Sequence, residues 1–189
     1  MLDREAVESL GFAAVGDSVQ ISDKASFYGA NRITLGDHVR IDDFCVLAAG
    51  VSGIVIGNYV HIAVSSSLIG AGKITLADFS GLSSRVSIYS STDDYSGGTL
   101  TNPTVPSEYT GVTHADVYLG KHVIVGSGSV ILPGVTLEEG VAVGALSLVQ
   151  KRCEAFGIYA GNPARRIKGR KRDLLKIEKQ FLLWKNPKE

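Results

Sequence analysis

Four histidines and one pair of adjacent carboxylates are the groups in this 189-residue chain best suited to moving protons: His38, His61, His114, His122 and Asp93-Asp94. An imidazole changes charge near neutrality. A carboxylate can take a proton from an amine, or orient an imidazole through a charge-assisted hydrogen bond. A second group is cationic. Ten of the 19 Lys and Arg lie from Arg165 onward, against three Asp or Glu, and Arg165, Arg166, Lys168, Arg170 and Lys171 crowd together. Such a cluster attracts phosphates, although the whole chain is formally neutral, which argues against a nucleic-acid binder. Other chemistries lack their signatures. There is no Ser-His-Asp order with an elbow motif and no phosphate-binding GxxxxGK string. His38 and His61 are 23 apart, and His114 and His122 are eight apart with a loop return between them, which does not suit a metal. Cys45 and Cys153 form no CxxC and read as reduced thiols of a cytoplasmic protein. No charged-then-apolar leader opens the chain, and no apolar run approaches the roughly 18 residues of a membrane span.

The elements that position these groups follow a count of six. Leu119, Val125, Ile131, Leu137, Val143 and Val149 are all aliphatic and six apart, each preceded two positions earlier by Val117, Val123, Ser129, Val135, Val141 or Ser147. A period of six fits neither a helix nor a flat strand. It fits a chain that turns a corner every hexapeptide and so winds a three-faced coil. Ile21 and Phe27, then Leu35, Ile41 and Leu47, then Ile56, Ile62 and Leu68, then Leu76, Leu82 and Ile88 carry the count with short slips at corners. Between Ile88 and Leu119 there are 31 steps instead of six. A polar, turn-rich loop over 89–116 therefore leaves the rod, and loops of that length are commonly functional. The expected organisation is an N-terminal helix or cap over 1–16, with Asp3 as N-cap. An all-β parallel coil over 17–156 follows, carrying that loop. A basic turn and a C-terminal α-helix, from about Asp173 to Trp184, occupy 157–189.

This geometry sorts the candidates. Residues at the six-spaced position and two before it point inward, and the one between points outward. His61 precedes Ile62 and so faces out. His38 and His122 fall near corners, and His114 lies where the loop rejoins the rod. Ser127, Gly144 and Ala145 are small outward residues that leave a smooth strip for a slender ligand. A rod has no pocket of its own, so a site needs a second surface, and packing two or three rods in a cyclic oligomer supplies one.

The segments LGKHVIVGSGSVILPGVTLEEGVAVGALSLVQK (119–151) and GIYAGNPARRIKG (157–169) resemble the left-handed β-helix acyltransferases, in particular the galactoside and xenobiotic acetyltransferase branch. The resemblance covers roughly residues 19–169. It implies a left-handed hexapeptide-repeat β-helix, a homotrimer, acetyl-CoA as donor with no metal, and a small acceptor in the groove between subunits. The CoA strip it implies is Ser127, Gly144, Ala145, Gln150, Lys151 and Arg165 or Arg166, with Lys168 nearby. Galactoside acetyltransferases have a catalytic histidine in a T-G-H-P string, where this chain has S-T-D-D (91–94). Asp93 thus stands in place of their base. A tyrosine of their acceptor pocket aligns with His61 and an asparagine with Ser65. RIDDFCVLAAG, FSGLSSRVSIYSSTDDYSG and GVTHADVYLGKHVIVGSGSVILPGV are similar to a narrower group, the VioB-type acetyltransferases of nucleotide-linked 4-amino-4,6-dideoxyglucose, which act in O-antigen sugar biosynthesis.

The expectation is an acetyl-CoA-dependent N-acetyltransferase of a dTDP-linked amino-deoxysugar, with His61, Asp93, Asp94 or His114 as proton acceptor and Ser65, Tyr89 and Tyr95 as acceptor contacts. An amine needs less help from a base than a hydroxyl does, which accommodates the missing histidine. Two alternatives stay open: an O-acetyltransferase of a sugar hydroxyl relying on His61 or His114, and a non-catalytic or carbonic-anhydrase-like β-helix.

Overall fold

The computed structural model describes residues 1–185; the last four residues of the predicted 157–189 segment lie outside the described residues. The chain winds a parallel β-helix with three faces. The first face stacks Ala14–Val15, Ile33–Leu35, Ile54–Ile56, Ile74–Leu76, Val117–Leu119 and Thr136–Leu137. The second stacks Gln20–Ile21, Arg40–Ile41, His61–Ile62, Gly81–Leu82, Ile124–Val125, Ala142–Val143, Gly157–Ala160 and Arg165–Gly169. The third stacks Ser26–Tyr28, Val46–Ala49, Ser67–Gly70, Ser87–Tyr89, Val130–Ile131 and Leu148–Val149.

The count of six maps directly onto this stack. Leu35 pairs with Ile56, Ile56 with Leu76, Leu76 with Leu119 and Leu119 with Leu137 on the first face. Ile41, Ile62, Leu82, Val125 and Val143 do the same on the second. Leu47, Leu68, Ile88, Ile131 and Val149 do so on the third. All are buried, so each aliphatic side chain rests on its equivalent one coil away, and the core is one continuous column.

The stack extends past the expected bounds at both ends. The stack begins at Ala14, where Ala14 and Val15 pair with Thr34 and Leu35, rather than at residue 17. At the other end the AGNPA turn does not simply follow the rod. Tyr159 pairs with Val143 and is buried, continuing the inner column with an aromatic ring. Arg165–Gly169 then folds back antiparallel on Gly157–Ala160. The repeat slips by two here: Cys153 bridges Leu137 four residues after Val149, and Tyr159 follows six residues later. At the first end helix α1 (Arg4–Ser9) is capped by Asp3, whose side chain accepts from the Ala6 N–H at 2.8 Å.

The loop leaves without disturbing the stack. Ser91–Thr92 and Thr113–His114 pair antiparallel as a neck, and the Ala115 N–H donates to the Ser90 carbonyl at 3.0 Å. The coil thus closes from Ser90 to Ala115 as if the residues between were absent.

One corner carries a ladder of rings. His38, Tyr59, Phe79 and His122 occupy equivalent corner positions with φ between 56° and 61°. Their rings stack with centroids 4.7, 4.9 and 5.2 Å apart, close to the spacing between adjacent strands. Helix α2 (Asp173–Lys185) lies along this ladder in the same chain. Glu178 Oε2 lies 2.9 Å from His122 Nε2, and the carboxylate ion-pairs with Lys121. Phe181 packs edge-on against Tyr59 and Phe79, and Lys185 Nζ reaches Tyr59 and His38. From Glu178 to Lys185 the helix advances about 10 Å, roughly two strand spacings, so every contact falls on a rung.

Candidate active site

The outward column of the second face runs Gln20, Arg40, His61, Gly81, Ile124, Ala142 and Ile158. His61 lies in its middle, exposed as its position in the hexapeptide predicts. Its Nε2 is 2.8 Å from Asp42 Oδ2, and Arg40 Nε donates to Asp42 Oδ1 at 2.7 Å. Partial burial works to raise the Asp42 carboxyl, but Arg40 and His61 outweigh it and hold the group below the usual aspartate range. An ionised Asp42 can only accept, so this contact calls for a hydrogen on His61 Nε2, and Nδ1 has no hydrogen-bond partner among the described residues. A cleft lined by His61, Ala63, Gly81, Leu82, Ser83, Ser84 and Ile124 opens beside the ring. Arg40, Asp42, Ser83 and Ser84 were not among the sequence candidates. The signal for the first two was their distance from His61, close to one coil. The two serines had none beyond their place after Leu82.

The loop candidates gather at the neck. Tyr89, Ser91, Thr92, Asp93, Tyr95, Val130, Leu132 and Pro133 line a second cleft on the third face. His114 Nδ1 lies 2.8 Å from Ser91 Oγ, which itself accepts from the Ala71 N–H at 2.8 Å. The two adjacent aspartates differ. Asp93 faces the cleft. Asp94 accepts from the Ser96 N–H at 2.8 Å, the Thr99 N–H at 3.0 Å and the Thr99 hydroxyl at 3.2 Å. Hydrogen bonds from Ser96 and Thr99 pull its pKa to about 2. Asp94 therefore holds the loop in shape as an ionised acceptor and is a weak base.

The cationic candidates form a third cleft. Gln150, Lys151, Arg165 and Arg166 line it together with Arg152, Val149, Cys153, Tyr159, Pro163 and Ala164. The hairpin of the last coil brings them together, with the Arg165–Gly169 strand folded beside Gly157–Ala160. Lys168 is exposed on that strand, opposite Ile158, and does not line the cleft. Burial pushes the Cys153 thiol up to about 11, so it is an inert part of the floor. Ser127 and Ala145 sit on adjacent coils, where the Leu146 N–H donates to the Ser127 carbonyl at 2.9 Å. Gly144 lies next to Ala160, and a Cβ there would meet the Ala160 methyl at 3.0 Å. Ser127, Gly144 and Ala145 thus stack on adjacent coils beside Ala160. Ser65 is exposed at the corner that follows the second face, with φ 60°. Within one chain the clefts of His61 and of the loop share no lining residue.

No family model matches the chain. A full-length relative does. The chain is 54% identical over 180 residues to a dTDP-4-amino-4,6-dideoxy-D-glucose acyltransferase of Escherichia coli, covering 95% of this chain and 94% of that protein. The chain belongs to this acyltransferase family. Solved structures agree on the fold. AntD, an N-acyltransferase from Bacillus cereus, in complex with dTDP and 3-hydroxybutyryl-CoA, superposes with a TM-score of 0.94 at 44% identity, over 98% of this chain and 97% of that one. The S84C mutant of AntD, in complex with dTDP-4-amino-4,6-dideoxyglucose and coenzyme A, gives 0.92 at 43% identity over 96% of each chain. The described residues contain no group of three or more His, Cys, Asp or Glu placed to hold a metal ion.

Proposed function

We propose that this acyltransferase moves the acetyl group of acetyl-CoA onto the 4-amino group of dTDP-4-amino-4,6-dideoxyglucose. The observation that carries this is the end-to-end likeness to enzymes and structures of that substrate and of coenzyme A. The clefts supply matching chemistry. Lys151, Arg152, Arg165 and Arg166 suit the phosphates of coenzyme A. The strip of Ser127, Gly144 and Ala145 gives its extended arm a path without side chains to clash, and Gln150 offers an amide at the end of that path. Lys168 adds long-range attraction from its exposed strand.

The acceptor amine attacks the thioester carbonyl, a C–N bond forms, and the C–S bond breaks to release the thiolate. The amine's proton goes to a nearby base: His61, Asp93 or His114, with Asp94 disfavoured by its low pKa. Backbone N–H groups of the coils stabilise the developing oxyanion, and much of the rate comes from holding amine and thioester together. Tyr89 and Tyr95 at the loop cleft and Ser65 at the corner would contact the nucleotide sugar. Because the His61 and loop clefts lie on different faces, the complete site needs a second copy, and a homotrimer in the cytoplasm is the assembly that fits.

The test is thiol release from acetyl-CoA with the dTDP-amino sugar and, separately, its 4-hydroxyl counterpart. Release with the amino sugar alone is expected. Release with the hydroxyl compound would replace N-transfer by O-transfer. A longer acyl-CoA run in parallel tells whether acetyl is the preferred group.

A further inference from the structure

The outward column of the second face contains one glycine that the backbone does not require. Gly81 has no positive φ, and the nearest atom to a Cβ built on it is the His61 carbonyl oxygen at 3.9 Å. Its absent side chain opens the cleft beside the His61 ring. Below His61 in the same column, Arg40 holds Asp42 by one carboxylate oxygen and leaves the other for His61 Nε2. An anchored ring, a free Nδ1 and an adjoining gap are what a proton-accepting imidazole needs. A side chain kept only for fold stability would need none of them.

Resting on the N-acyl transfer reading, we propose that Asp42 is a positioning residue. It fixes the tautomer and orientation of His61, so that Nδ1 takes the proton from the acceptor amine as the C–N bond forms. Arg40 keeps Asp42 ionised and in one rotamer. The proton passes from the amine nitrogen to Nδ1, and Asp42 remains a carboxylate throughout, stabilising the imidazolium. The charged groups facing the ring are Arg40 and Asp42 from its own face. The neighbouring coils present Gly81, Ser83, Ser84 and Ile124, which carry no charge.

The experiment compares wild type with Asp42→Asn, Asp42→Glu and His61→Asn. It records kcat and KM against pH for the dTDP-amino sugar, and 15N-resolved imidazole NMR spectra of the free protein. The spectra should place the hydrogen on Nε2 in wild type and lose that preference in Asp42→Asn. The same variant should lower kcat about tenfold or more, move the acid limb of the pH profile and leave KM for acetyl-CoA within about twofold. Asp42→Glu should recover part of kcat. Wild-type kcat in His61→Asn, or unchanged kcat and unchanged tautomer in Asp42→Asn, overturns the proposal. So does a variant that loses only thermal stability. A wild-type enzyme inactive on the amino sugar refutes the functional reading, and the catalytic role of the pair with it. The spectra separate that failure from a wrong assignment of the Asp42–His61 contact.

Discussion

Gly81→Ala should make the protein more stable and less active. An alanine at 81 keeps the strand's backbone, whose N–H donates to the Val123 carbonyl at 2.9 Å, and its methyl finds no atom closer than 3.9 Å. The change then acts through the unfolded chain, which loses conformational freedom, and should stabilise by about 0.4–1 kcal/mol. For a chain of this size that is a rise in Tm of about 1–4 °C. Gly126→Ala is the control. Its Cβ would lie 2.4 Å from the Ala145 backbone nitrogen, so it should destabilise. The methyl at 81 also fills part of the cleft beside His61. There it should lower kcat/KM for the amino sugar about tenfold or more, while the KM for acetyl-CoA at the distant cationic cleft changes little. Thermal melts, native mass and steady-state kinetics on both variants decide the matter. If Gly81→Ala lowers Tm, another subunit's atoms already occupy the gap. If it leaves kcat/KM unchanged, the cleft beside His61 is not where the acceptor sits. Either result breaks the reasoning.

Replacing Lys151, Arg165 and Arg166 together by Ala should raise the KM for acetyl-CoA at least tenfold with little effect on the amino sugar, and added salt should weaken wild-type binding in the same direction. Asp93→Asn combined with Asp94→Asn should lower turnover more than tenfold, and an unchanged rate removes both from the mechanism. The pKa of Asp94 falls from 3.8 to about 2 on folding, so its contribution is complete above about pH 4 and is lost as pH falls through about 2. Amide exchange at Ser96 and Thr99 should stay protected at pH 3.5 and accelerate below pH 2. Glu178 is pulled two ways. Burial works to raise it, but Lys121 and His122 outweigh burial and hold it below the usual glutamate range. Its contribution is therefore present above the ordinary glutamate value and lost on acidification below it. Glu178→Gln should cost about 1–3 kcal/mol, seen as a lower Tm at pH 7 and a smaller difference from wild type at low pH.

The inner column was legible because its rule is local. Leu119, Val125 and Ile131 differ by a fixed count, and burial demands the same residue type each time. The loop was legible as a failure of that count. Beyond these, the rule stops helping. The last coil is masked because the step from Val149 to Cys153 is four residues instead of six, and Tyr159, six after Cys153, puts a ring where the column had been aliphatic. The ring ladder was hidden for a different reason. His38, Tyr59, Phe79 and His122 are separated by 21, 20 and 43 residues; the first two intervals are one coil, and the last becomes one coil only when the loop is excised. The same holds at the site. His61 was identified by its outward position, but Asp42 and Arg40 become its partners only when one coil is laid on the next. The apolar positions of α2 showed that the helix covers something. The docking of Phe181 against Tyr59 and Phe79 shows that the cover is its own rod.

That docking bears on how the protein is made. Each coil of a β-helix needs only its predecessor, so the rod can form as the chain emerges. The ring edge cannot be finished that way. His38 is translated early and meets Lys185 147 residues later. At ordinary synthesis rates of about 5–20 residues per second, that interval is roughly 7–30 s. Over that time the stripe of stacked rings grows on the nascent rod without its helix, available to chaperones or to another unfinished chain. That edge closes only once α2 has been made.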